Sequence, residues 1–92
     1  MTRSFKDRDT RRFFEGRRVA AYQGFAGHAV RRLVLLDSAD MLGDLAALPS
    51  RRLEALRGDR AGQHSIRINA QWRVCFRWAD EGPCDVEIVD YH

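Results

Sequence analysis

The chain has 92 residues, 45% of them apolar, a formal charge of +3, and basic side chains that are all arginine apart from Lys6. That is one domain's worth of chain with an ordinary apolar share, which excludes a second core and wholesale disorder. No apolar run approaches the roughly 20 residues a bilayer requires, and residues 1–6 lack the apolar stretch of a secretory signal, so a cytoplasmic protein is expected.

Residues 2–5 read as a short opening strand. Asp7 or Asp9 is placed to cap a first helix running to about Gly16, with Phe13 and Phe14 inward and Arg8, Arg11 and Arg12 on the wet side. Arg17 and Arg18 follow, then a loop at Gln23, Gly24 and Phe25. A second helix over 26–41 carries Ala26, Ala29, Val30, Leu33 and Leu36 at helical spacing. Gly43 is expected to end it, with Leu45, Leu48 and Pro49 as a connector.

From residue 51 the period changes. Residues 53–56 read as a strand closed by Gly58 and Asp59, and residues 64–69 alternate cleanly. Ala70 and Gln71 form a two-residue link. Residues 72–78 alternate again, with Trp72, Val74, Phe76 and Trp78 on one side. Asp80, Glu81, Gly82 and Pro83 are turn chemistry, and 86–89 is the last strand. The order β-α-α-β-β-β-β predicts an α+β fold, with two N-terminal helices packed on one face of a mostly antiparallel sheet of four to five strands. Its core should set Phe13, Phe14, Val30 and Leu33 against Ile66, Ile68, Val74 and Phe76, with both tryptophans included.

Charge is clustered. Residues 1–32 carry nine basic and three acidic side chains, residues 51–78 carry seven and two, and the remaining acids gather at 33–50 and 79–92. Guanidinium forks suit phosphate, although a GC-rich genome also favours arginine over lysine. By parity Arg67, Arg73 and Arg77 face away from the helices. That open sheet face is either an RNA cradle or an ordinary solvated surface. Cys75 and Cys84 lack metal-site spacing and are expected as buried, reduced thiols.

The stretch from Leu56 to Ile68, reading LRGDRAGQHSIRI, is followed by Gln71-Trp72-Arg73-Val74 and by the ending Val89-Asp90-Tyr91-His92. These three pieces, in this order and spacing, resemble the HigB-type toxins of the RelE superfamily, and the opening from Arg3 to Asp7 is similar to the usual start. The resemblance implies a ribosome-dependent endoribonuclease of a type II toxin–antitoxin system. Such an enzyme cuts mRNA in the ribosomal A site by attack of a 2′-hydroxyl and so inhibits translation, with no metal and no cofactor. It further implies a HigA-like helix-turn-helix antitoxin, the 70S ribosome with mRNA, and operator DNA reached only through the antitoxin. Acidic antitoxin surface is expected against the basic residues 1–32.

The reaction needs a base, a cation and an acid. On the resemblance, Asp90 and His92 supply proton transfer, with base and acid left unassigned between them. Arg73 is the transition-state cation, and Tyr91 stacks on or positions a base. Arg57, Arg60, Arg67 and Arg77 are RNA contacts. Glu54 stands where many members carry histidine, so a minor part is expected of it, and Arg57 replaces a common lysine, which leaves only electrostatic help there. Strict alternation sets Asp90 and His92 on the parity of Val86 and Ile88, so a bulge at the strand end is expected to bring them to the open face. Two other functions fit the same fold: a non-catalytic RNA- or ribosome-binding module, and a protein acting only within a repressor complex with its antitoxin.

Overall fold

In the computed structural model, which describes residues 1–47 and 53–90, the Asp7 carboxylate accepts a hydrogen bond from Thr10 N at 3.2 Å. That cap starts helix α1, Arg8–Phe14. Gly16 takes a left-handed φ of 92°, and its N–H returns to Phe13 O, closing the helix. Where a loop was expected, a 3₁₀ turn, Ala20–Phe25, buries Tyr22 and Phe25 and runs straight into α2, Ala26–Ser38. Helix α2 stops short of 41 because Ala39 is extended. Asp44 Oδ2 then accepts from the N–H groups of Asp40 and Met41 and starts a separate α3, Leu42–Ala46. Gly43 therefore lies within a helix instead of ending one, and Leu45, expected in the connector, is fully buried. Leu48 and Pro49 lie outside the described residues.

Four strands, β1 Glu54–Ala55, β2 His64–Arg67, β3 Trp72–Ala79 and β4 Gly82–Asp90, form an antiparallel sheet in sequential order. The β2–β3 link spans residues 68–71, longer than the two residues expected. Asn69 Oδ1 accepts from Gln71 N and Trp72 N at 2.8 Å each, and this side chain builds the turn. Strand β4 begins earlier than expected, at Gly82, which pairs with Ala79. Asp80 and Glu81 alone make that turn. The register slips by one residue between Cys75 and Arg77, opposite Asp85, whose φ is 51°. The opening strand is reduced to one parallel bridge, Phe5 with Val86, flanked by bonds from Arg3 N to Pro83 O and from Lys6 N to Val86 O.

The helices cover one sheet face. Phe13, Tyr22, Phe25, Leu33 and Leu36 meet Ile66, Ile68, Val74, Phe76, Val86 and Ile88 in a contiguous core. Truncating the fully buried Phe76 to alanine would cost on the order of 3–5 kcal/mol. Two expected core residues are outside it: Phe14 is 36% exposed and Val30 46%. Phe14 turns to the Phe5 ring, 5.2 Å away, and Val30 lines a shallow groove between α2 and α1 with Phe13, Phe14, Leu33 and Val34. Trp72 and Trp78 are partly buried at the core margin, Trp72 against Phe25 at 4.9 Å. Both cysteines are free; Cys75 is buried and Cys84 half-buried.

Candidate active site on the open sheet face

The alternation that sends Ile66, Val74 and Phe76 into the core sends their neighbours to the opposite face. Across that face one row of paired residues reads Glu54, Ser65, Cys75, Glu87, and the next reads Arg67, Arg73, Val89. Arg67 and Arg73 are thus directly opposed across two strands. Like charges in that position destabilise a sheet, so the pair is held by its surroundings.

Those surroundings are specific. Arg73 is largely buried at its stem and donates from Nη1 to Ser65 Oγ at 3.1 Å, with Glu54 Oε2 at 3.2 Å. Arg67 donates from Nε to Asn69 O at 3.1 Å, and its own carbonyl accepts from Arg32 Nε at 3.0 Å, which ties the strand end to α2. Further along, Arg60 Nη1 donates to Glu87 Oε1 at 2.7 Å and to Gln63 Oε1 at 3.0 Å, and Lys6 Nζ lies 3.7 Å from the same carboxylate. Arg77 Nε is 3.8 Å from Asp85 Oδ2, and its guanidinium passes close over Gly62, whose left-handed φ of 89° favours glycine. Arg57 is exposed at the start of the short 3₁₀ turn Gly58–Arg60. Beneath the charged groups the Cys75 thiol is pushed up to about 11 by burial.

The expected site residues therefore divide. Arg67, Arg73 and Arg77 share the open face, and Arg60 reaches it through Glu87. Asp90 pairs with Trp72, whose ring packs on the helix side. The bulge required to turn Asp90 over lies at Asp85 instead, upstream of it, and the register from Glu87 to Asp90 is unbroken. The Asp90 carboxylate accepts from Gln71 Nε2 at 2.9 Å. Tyr91 and His92 lie outside the described residues.

Two residues of this face were given little or no part by the sequence. Glu54 stands beside the central arginine, and Ser65 fixes its orientation. Parity alone would have found Ser65, which alternates with Ile66; a strand over 53–56 was expected, but not that Glu54 pairs with Ser65 and so stands beside Arg73. Among the described residues no three His, Cys, Asp or Glu side chains gather as a metal-ligand set, and no helix is long and apolar enough to cross a membrane.

An open sheet face with opposed guanidinium groups, an adjacent carboxylate and a helical layer behind it suits a phosphodiester. Comparison with known proteins points to one family. The model for the RelE-like toxin of type II toxin–antitoxin system HigB matches residues 3–92. Toxin HigB-1 of Vibrio cholerae serotype O1 (strain ATCC 39315 / El Tor Inaba N16961) is 35% identical over 82 residues, 87% of this chain and 86% of its own. Endoribonuclease HigB of Proteus vulgaris is 34% identical over 61 residues, 66% of this chain and 65% of its own. The chain belongs to the RelE-like HigB toxins of type II toxin–antitoxin systems.

Proposed function

We propose that residues 1–92 act as one toxin unit, an endoribonuclease that cuts mRNA on the ribosome, in the cytoplasm, and is held inactive by a helix-turn-helix antitoxin through which it also reaches operator DNA. The observation that carries the reading is the opposed Arg67–Arg73 pair, with Glu54 and Ser65 against Arg73. The Proteus vulgaris relative is named an endoribonuclease, which agrees with it. In the reaction a base removes the 2′-hydroxyl proton, the 2′-oxygen bonds to the adjacent phosphorus, and the 5′-oxygen leaves with a proton from an acid. The products are a 2′,3′-cyclic phosphate and a 5′-hydroxyl. Arg73 meets the charge that builds on the phosphorane, and Arg57, Arg60, Arg67 and Arg77 hold neighbouring phosphates. Asp90 and His92 transfer protons and Tyr91 positions a base. The chain carries its own proton-transfer groups, so no metal is required, and the ribosome supplies the orientation that a chain this small lacks.

A second assignment of the base follows from one contact. Glu54 Oε2 lies 3.2 Å from Arg73 Nη1, on the face where the phosphate must sit, whereas Asp90 keeps the helix-side parity. In this version Glu54 takes the 2′-hydroxyl proton and the C-terminal pair supplies the acid. To test the function itself, the gene is induced in growing bacteria and mRNA 5′ ends are mapped for the wild type, Arg73→Ala and Asp90→Ala. New ends within translated codons, absent in Arg73→Ala, are expected. Equal growth arrest by both variants without new ends would make the protein a binding module. Rapid, EDTA-sensitive cutting of naked RNA would overturn both the ribosome dependence and the metal-free chemistry.

A further inference from the structure

Between α1 and α2 runs a groove of about 130 Å³, floored by the buried Phe13 and Leu33 and walled by Phe14, Val30 and Val34. Val34 is 57% exposed, so α2 turns an apolar edge to solvent beside a ready-made recess. The charge around it is unbalanced. Every ion pair among the described residues uses Arg3, Lys6, Arg60, Arg73 or Arg77. Arg8, Arg11, Arg12, Arg17, Arg18 and Arg31 have no carboxylate partner among those residues. Arg11 lies one helical turn before Phe14, its guanidinium 5.9 Å from the centre of the Phe5 ring that packs on Phe14, and Arg31 lies one turn before Val34 on α2.

An apolar recess with, on each of its two helices, a cation that lacks a carboxylate partner among the described residues fits a polypeptide that brings both an apolar side chain and carboxylates. Nucleic acid would satisfy the cations and leave the recess unfilled. We infer that this groove docks an acidic amphipathic segment of the antitoxin, with one branched or aromatic side chain seated between Phe14 and Val34 and carboxylates facing Arg11 and Arg31. The inference rests on the chain being half of a toxin–antitoxin pair, and it narrows the contact from the basic N-terminal third to one groove.

The test titrates purified toxin with the antitoxin encoded beside its gene, by calorimetry, for the wild type, Val30→Glu, Val34→Glu, Arg31→Glu and the distant Asp80→Asn. The substituted valines are exposed, so thermal melts should match the wild type. A central apolar anchor facing an acid should weaken Kd by about 30-fold or more. Arg31→Glu should weaken it by about 5- to 10-fold at low salt and by less at 0.5 M, because the contribution is screened. Asp80→Asn should bind as the wild type does, and Val34→Glu should cut mRNA on ribosomes as the wild type does. Groove variants that bind normally while the wild type binds overturn the groove and leave the toxin–antitoxin reading standing. A wild type that binds no antitoxin overturns that reading instead. Groove variants that keep the antitoxin but lose ribosome-dependent cleavage would assign the face to the ribosome and refute the inference.

Discussion

Arg73 Nη1 sits 3.2 Å from Glu54 Oε2 and 3.1 Å from Ser65 Oγ, so the central cation of the open face is pre-aimed by two strands before any RNA arrives. Removing it should remove charge stabilisation from the transition state. Arg73→Ala is expected to lower kcat of ribosome-dependent cleavage about 10²–10³-fold, as loss of one such donor does elsewhere. Arg73→Lys should recover only part of this, since an ammonium lacks the planar fork that holds Ser65 and a phosphate together. An unchanged kcat in Arg73→Ala would remove this residue from the mechanism.

The same contact sets up a choice about Glu54. If it takes the 2′-hydroxyl proton, Glu54→Gln should lower kcat by about 10²–10⁴ with KM little altered. Folding stability should move by less than about 1 kcal/mol, because the pair is half exposed on its acidic side. Single-turnover rates on programmed ribosomes separate this from a mere counter-ion, whose loss would lower KM and leave kcat in place.

At the C-terminus, deleting Tyr91 and His92 should abolish growth arrest while leaving folding and antitoxin binding nearly intact. Strand β4 is paired with β3 from Gly82 through to Asp90, which anchors the strand ahead of the deleted residues. Full toxicity in the truncated chain would refute their assignment.

Thr10 offers a test of the packing between α1 and the sheet. Its buried Oγ1 accepts from Ile88 N at 2.9 Å and so joins α1 to β4 through a side chain. Thr10→Val keeps the shape but strands a buried N–H, which should cost about 1–3 kcal/mol in urea unfolding. Thr10→Ser keeps the acceptor and should lie closer to the wild type.

The Cys75 thiol gives a pH dependence with a definite sign. Burial raises it from an ordinary value near 9 to about 11. Between these values the unfolded chain has lost a proton that the folded chain retains, so stability is complete below pH 9 and falls as pH rises towards 11. The loss should approach roughly 2–3 kcal/mol. Burial of the Tyr22 hydroxyl raises its pKa too and acts in the same direction at still higher pH. Unfolding midpoints from pH 7.5 to 10.5 should decline in the wild type and decline less in Cys75→Ala.

Much of this fold is legible in the sequence because its period is imposed by burial. Ile66 and Ile68, Val74 and Phe76 alternate since one sheet face is dry, and all four are in the core. The helices are legible to a turn, and the failures have causes. Val30 fits the apolar stripe of α2 but lines an open groove beside α1 instead of closing against it, so periodicity predicts a burial that the packing withholds. Gly43 looks like a stop, yet the signal that matters is Asp44 reaching back to Met41 N. At the site, Arg67, Arg73 and Arg77 follow from parity alone. Ser65 follows by the same parity, but Glu54 does not, because its place beside Arg73 depends on the pairing of a strand only two residues long. Nor does the Asp85 bulge, which is one positive φ in an unremarkable stretch.

The outward edge of β4 carries a last consequence. Its Val86 N–H is taken by Ser4 O, its Val86 carbonyl by Lys6 N, and its Ile88 N–H by Thr10. The opposite border of the sheet is β1, only two residues long. Another copy of the chain, or a stretch of unfolded protein, therefore finds little backbone template on either border from which to grow a cross-β stack.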